Sequence, residues 1–143
     1  MTQPATPDLI EVRWLLSRFA SMASGIAETV AISVDGRLLA ASPGLSRAGA
    51  DRLTAITTAL ASLARGAGDA FDLGGYGRVV IELDHGWLIV SAVNPDCRLG
   101  IVATSAADLD DLSAELTMFT RQVSAALTPG MVAELAVTVT TEQ

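Results

Sequence analysis

His85 follows Asp84, and with one of the chain's serines the pair could be drawn as a Ser-His-Asp hydrolytic set. In such a set the histidine takes the serine proton and the carboxylate fixes its tautomer. The surroundings do not supply that chemistry. No G-x-S-x-G turn is present to hold a serine at the end of a strand, and His85 falls where a chain reversal separates two apolar runs, so it reads as a turn residue. A zinc site of nitrogen and sulfur ligands fails on number, because the chain has one His and one Cys, Cys97. Asp108, Asp110 and Asp111 lack the spaced loop ligands and downstream glutamate of a calcium loop. At the start of a helix they complement its dipole instead. The stretch "GDAFDLGGYG" is rich in glycine, but a phosphate loop needs Gly-Lys-Ser/Thr opening a helix, and this chain has no lysine. Arg37, Arg47, Arg65, Arg78 and Arg98 all fall at turns or element ends, where exposure is expected. Asp35-Gly36-Arg37 reads as a corner, with Asp and Gly shaping the turn and Arg solvating it. No catalytic, cofactor-binding or metal-binding residue is assigned.

The elements that carry these residues follow from periodicity. Over residues 8–23, Leu9, Val12, Leu15, Leu16, Phe19, Met22 and Ala23 recur at three- and four-residue spacing, the pattern of one helix face. "VAISVDGRLLAAS" (30–42) then predicts a hairpin, because Asp-Gly between alternating apolar runs is a strong turn signal. A second helix is expected over 47–65, with Leu53, Ile56, Leu60 and Leu63 as its inward stripe, Thr54, Thr58, Ala61 and Arg65 opposite, and Gly66 and Gly68 ending it. "RVVIELD" (78–84), "WLIVSAV" and "RLGIVAT" predict a three-stranded meander, its turns at "HG" and at Asn94-Pro95-Asp96-Cys97. Before it, "FDLGGYG" reads as a loop. Ser105 with Asp108 resembles a capping box ahead of a last helix whose stripe is Leu109, Leu112, Leu116, Phe119, Val123 and Leu127, stopped by Thr128-Pro129-Gly130. The tail 128–143 alternates weakly and is open to three readings: a docked strand, a partner-induced segment or a flexible end. The expected order is α-β-β-α-β-β-β-α, an α+β sandwich in one domain over 1–143 with its core at about 8–127.

Composition bounds the partners. In 143 residues with formal net charge −7, the basic footprint that nucleic acid requires is missing, and anionic lipid is disfavoured for the same reason. No run approaches the length of a membrane span, the first residues carry no signal-peptide pattern, and a lone cysteine suits a reducing compartment. A soluble, cytoplasmic protein is expected.

The "DGRLLA" hairpin after a helix, the long helix of small residues, the meander ending in "IVAT" and the final amphipathic helix together resemble the roadblock family of dynein light-chain-like proteins, over roughly 8–127. The resemblance implies a five-stranded antiparallel sheet with the second helix on one face and the terminal helices on the other. It also implies homo- or heterodimers that bind and regulate Ras-like small GTPases or act as scaffolds. Composition is similar to bacterial roadblock proteins encoded beside small GTPases and sensor kinases. A bacterial member accelerates GTP hydrolysis by its partner without lending an arginine, and no family motif here is catalytic.

Non-enzymatic regulation of a small GTPase is therefore the leading expectation, with a sensor kinase as a further partner. Its rivals are a small-molecule sensor of the profilin or PAS type and a scaffold without effect on GTP turnover. A sensor pocket calls for convergent polar or aromatic side chains, whereas 4% of this chain is aromatic. Two surfaces are expected to meet partners. One is the second helix at Ala55, Thr58, Ala59 and Ser62, too small and weakly polar to be driven inward. The other is the strand over 78–84, an edge if the meander is ordered sequentially and the hairpin pairs with its last strand. Pairing that edge antiparallel would give a homodimer through Arg78, Val80 and Glu82, unless "FDLGGYG" or the tail covers it.

Overall fold

The computed structural model describes residues 17–19, 25–124 and 127–141. Five strands, β1 (Ile26–Ser33), β2 (Leu38–Ala41), β3 (Arg78–Leu83), β4 (Gly86–Asn94) and β5 (Cys97–Thr104), alternate with the helices α1 (Arg47–Ala70), α2 (Leu109–Val123) and α3 (Pro129–Thr141). All strand pairs are antiparallel, in the order β2-β1-β5-β4-β3. The expected hairpin turns at Gly36, whose φ of 84° suits a residue without a Cβ. Ser33 Oγ binds Asp35 Oδ1 and accepts the Arg37 amide at 2.9 Å, so Asp35 is a corner residue. His85 is exposed in the β3–β4 turn.

The sheet is covered on both faces. α1 covers Val30 and Ile32 with Ala50 and Leu53, joined by the half-buried Leu88 and Val102. On the other face Ala31, Ile89, Leu99 and Ile101 meet Leu112, Leu116, Phe119 and Val123 of α2 and Val132, Leu135 and Ala136 of α3. Between Ala31 and Ile32 the β1–β2 register slips by one residue. That bulge leaves room for both Leu39 and Ala40 to join the α2–α3 side of the core. Of the helix expected over 8–23, only 17–19 lie among the described residues. They are helical, and the Phe19 ring sits 4.8 Å from that of Phe119.

Four expectations are corrected. First, α1 is rotated about its axis: Leu53 faces inward as expected, but its neighbours there are Ala50, Thr54, Thr57, Ala61 and Gly68, whereas Ile56 and Leu63 are exposed and Leu60 is half-buried. The reason is the strand beneath it. Gly100 of β5 offers no side chain, and a Cβ there would run into Thr57, with Cβ and Cγ2 only 3.0 and 3.1 Å away. Helix and sheet therefore meet at small residues. Second, α1 does not stop at Gly66 but runs through Gly68 to Ala70, because the bare Cα of Gly68 accommodates the returning Gly74 carbonyl. Third, α2 is capped by Asp108, which accepts from the amides of Asp110 and Asp111 at 2.9 and 3.1 Å, and it ends at Val123. Leu127, beyond its end, is still fully buried. Fourth, the tail forms α3, opened by Pro129 and by the Thr128 hydroxyl, which accepts from Met131 N. The core thus reaches Ala136 rather than stopping near 127.

Asn94 ties the end of α2 to the residues that lead into α3. Asn94 Nδ2 donates to the carbonyls of Ser124 and Leu127, at 2.8 and 2.9 Å, while its Oδ1 accepts from Asp96 N. Replacing Asn94 with Ala leaves those carbonyls without their donor. Asn94→Ala is expected to cost about 1–2 kcal/mol of stability, read from urea denaturation; a loss under about 0.3 kcal/mol would show that water takes over the bonds.

Candidate interaction surface

β3 is an edge strand with one ladder partner, β4. Its register opposes Val80 to Ile89 and Ile81 to Leu88, so alternation sends Val79, Ile81 and Leu83 to the α1 side of the sheet and Arg78, Val80 and Glu82 to the α2 side. Arg78 is exposed and donates from Nη2 to Thr117 Oγ1 of α2 at 3.3 Å. The outer N–H and C=O groups of β3 have no strand to meet among the described residues, and the strand contains neither Pro nor Lys to blunt the edge.

The expected interface residues thus fall on two faces. Ala55, Ala59 and Ser62 are exposed on α1, and Thr58 is half-buried there, its hydroxyl bonded to Thr54 O at 2.8 Å. Arg78, Val80 and Glu82 are exposed on β3 and look toward the opposite side of the sheet. Large apolar side chains are exposed on both elements: Ile56 and Leu63 on α1, which periodicity assigns inward, and Leu83 on β3. Leu63 is 71% exposed, and Phe71 and Leu73 in the loop between α1 and β3 are 74% and 75% exposed. Large apolar groups exposed together are a common feature of contact surfaces. Their spacing on α1, Ile56, Ala59, Leu60 and Leu63, is that of one helical stripe.

Elsewhere the chemistry is sparse. Two clefts flank Arg37, one of about 370 Å³ lined by residues that include Arg47, Asp51 and Thr54, the other of about 300 Å³ lined in part by Asp35, Asp96 and Val132. Neither lining contains an aromatic residue. Among the described residues no group of three or more metal-ligating side chains converges, and no helix is long and apolar enough to cross a membrane. Arg98, expected at the surface, is 7% exposed.

Cys97 is fully buried at the start of β5. Burial pushes its thiol up from the ordinary 9.0 to about 12, partly offset by the charge of Arg98. The folded state therefore disfavours the thiolate. At pH 8 a disulfide reagent should label Cys97 only as fast as the protein opens. Above the ordinary thiol value the unfolded chain loses its proton while the fold keeps it, so the contribution of this group is full below pH 9 and declines toward pH 12. The slope is about 1.4 kcal/mol per pH unit. Rapid stoichiometric labelling of the folded protein would contradict this environment.

The fold defines a class before it defines a family: a five-stranded antiparallel sheet with helices on both faces, in which β3 is an edge strand and α1 exposes Ile56 and Leu63. The sequence matches the Roadblock/LC7 domain over residues 12–103, and the chain belongs to that family. It is similar to a Roadblock/LC7 domain from Streptomyces avermitilis, with 33% identity and a TM-score of 0.74 across 80% of this chain and 96% of that one. Myxococcus xanthus MglB shares the fold at 9% identity, TM-score 0.75, over 83% of this chain and 96% of that one. The gliding protein mglB of Thermus thermophilus does so at 15% identity, TM-score 0.66, over 86% of each chain. No curated protein sequence matches this chain.

Proposed function

We propose that this chain is a cytoplasmic, non-enzymatic roadblock regulator that dimerises, binds a Ras-like small GTPase and modulates its nucleotide cycle, with a sensor kinase as a further partner. The observation that carries the reading is that β3 is an edge strand without a second partner among the described residues in a chain whose α1 exposes Ile56 and Leu63. Two copies pairing β3 antiparallel about a two-fold axis extend the sheet to ten strands, from the five of each copy, and bring the two α1 stripes together. Arg78, Val80 and Glu82 then line the seam on the α2 side, while Ala55, Thr58, Ala59 and Ser62 belong to the α1 side. The paired helices present a small-residue surface that a GTPase can approach closely. Likeness to the bacterial roadblock proteins supports the choice of partner. The clefts around Arg37 lack the aromatic lining that would favour a small-molecule sensor.

The test has two parts. Light scattering at micromolar concentration is expected to give about twice 14.8 kDa, and a concentration-independent monomer refutes the dimer. A GTPase recovered by pull-down from the native cytoplasm is then taken through single-turnover hydrolysis with and without this protein. A changed rate supports regulation, binding without a changed rate supports the scaffold reading, and absence of a GTPase among the bound proteins refutes both.

A further inference from the structure

A guanidinium can be removed from water only when its protons are bonded or its charge is met. Arg98 is 93% buried, being 7% exposed, and no carboxylate bonds it among the described residues. Its Nη1 donates to the carbonyls of Asn94 at 2.9 Å and Cys97 at 3.3 Å. The guanidinium carbon lies 5.6 Å from the centroid of the Tyr76 ring, within the range of attraction between a cation and an aromatic face. Nε of Arg98 and the hydroxyl of Tyr76 are buried without partners. The ring face rather than the hydroxyl is therefore what Tyr76 contributes.

Register explains why this contact sits where it does. Arg98 of β5 is opposite Ala92 of β4, and Ala92 N donates to Gly77 O at 3.0 Å. Arg98, Ala92 and Gly77 thus stand in one row across the sheet, ending on the residue that leads into β3. Ala92 is small enough for the arginine beside it to reach Tyr76, the neighbour of Gly77. The other end of the same loop is tied to α1, where Leu73 N donates to Gly68 O at 2.8 Å and only a glycine at 68 admits the Gly74 carbonyl. Between these two attachments the loop exposes Phe71 and Leu73.

We propose that Arg98 and Tyr76 form a positioning pair that fixes the start of the edge strand β3, and the apolar loop before it, for pairing with a second copy of this chain. This rests on the dimer reading above. Arginine suits the site because its delocalised planar cation lies over the ring while Nη1 bonds both carbonyls; a lysine ammonium could reach the carbonyls but has no planar group to lay over the ring.

The experiment compares Arg98→Lys, Tyr76→Ala and Tyr76→Phe in the full chain, reading the dimer dissociation constant by sedimentation and amide exchange residue by residue. Arg98→Lys and Tyr76→Ala are each expected to weaken the dimer at least tenfold and to speed exchange of the Ala92 amide at least tenfold, with the amides of Ile101 and Leu116 unchanged. Tyr76→Phe keeps the ring and loses a hydroxyl that has no partner, so it should stay within twofold of the parent on both measures. Wild-type association and Ala92 protection in the first two variants would overturn the proposal. So would a uniform rise in exchange across the sheet, which would mean a general structural role. If the parent protein proves monomeric at every concentration, the dimer reading fails by itself, and Ala92 exchange still decides whether the pair holds β3.

Discussion

Gly100→Ala is expected to lower the unfolding free energy by about 2–3 kcal/mol, a large loss for the addition of one methyl group. The new Cβ would penetrate Thr57 Oγ1 and stand 3.0 Å from Thr57 Cβ. Thr57 has no way to yield: it is fully buried, and it is fixed to a helix that crosses the sheet. Relief comes only from lifting α1, which would also loosen Ala50, Leu53 and Ala61 from their contacts. Thr57→Ala supplies the control. Its hydroxyl has no hydrogen-bond partner, so removing it leaves no orphaned group, and it clears the space that the alanine methyl needs. In a double-mutant cycle the pair Gly100→Ala and Thr57→Ala should recover at least half of the loss, a coupling of at least about 1 kcal/mol. Strictly additive losses in urea denaturation would mean that the two positions do not share the space that brings α1 onto β5.

That contact also shows why α1 could not be oriented from its own sequence. Periodicity finds a helix and its stripes, but it cannot say which stripe faces the protein when both are plausible. Leu53, Ile56, Leu60 and Leu63 form the more hydrophobic stripe, so the hydrophobic effect alone would turn it inward. The sheet keeps Leu53 inward but turns Ile56 and Leu63 outward, because Gly100 sits in the middle of a strand where a side chain would ordinarily stand. An interior glycine in "RLGIVAT" marks a site where another backbone approaches closely, and read together with "TAITTALA" it would have assigned the small face to the core. The hairpin was legible for the opposite reason: Asp-Gly fixes its turn locally, and the alternation of Val30, Ile32 and Val34 needs no distant partner. The edge position of β3 followed from topology and agrees with the observed order. The residues of the proposed interface are only partly legible. Ala55, Ala59 and Ser62 are exposed as expected, but Ile56 and Leu63, which dominate that surface, were assigned to the core. α3 was missed because Val137, Val139 and the threonines of "AVTVTT" prefer extended backbone, whereas Pro129, Thr128 and burial of Val132, Leu135 and Ala136 favour a helix. Arg98 was misplaced because nearness to a turn predicts exposure, while Tyr76, twenty-two residues earlier in the chain, lies within 5.6 Å of its guanidinium.

Replacing Ile56 and Leu63 together by Glu is expected to leave each copy folded and to weaken self-association by at least about 100-fold, roughly 2.7 kcal/mol. Neither side chain belongs to the core: Ile56 is 39% and Leu63 71% exposed. Glutamate is a good helix former, so circular dichroism and the amide protection of Ile101 should be preserved. Across a two-fold axis each substitution appears twice, so a dimer of the variant brings four new carboxylates to one surface. The net charge of each copy would pass from −7 to −9, adding long-range repulsion that salt reduces. Ala59→Arg tests the same face by bulk instead of charge sign, since it places a long side chain where the stripe is narrowest. It should weaken association as well, and the weakening should survive high salt. Val34→Glu is the matching control, an exposed apolar residue on the hairpin turn far along the sheet from β3, and it should associate like the parent. If the Ile56→Glu/Leu63→Glu protein remains folded and dimerises with the parent's affinity, the α1 stripe is not where the two copies meet. The open edge of β3 would then have to account for the assembly alone.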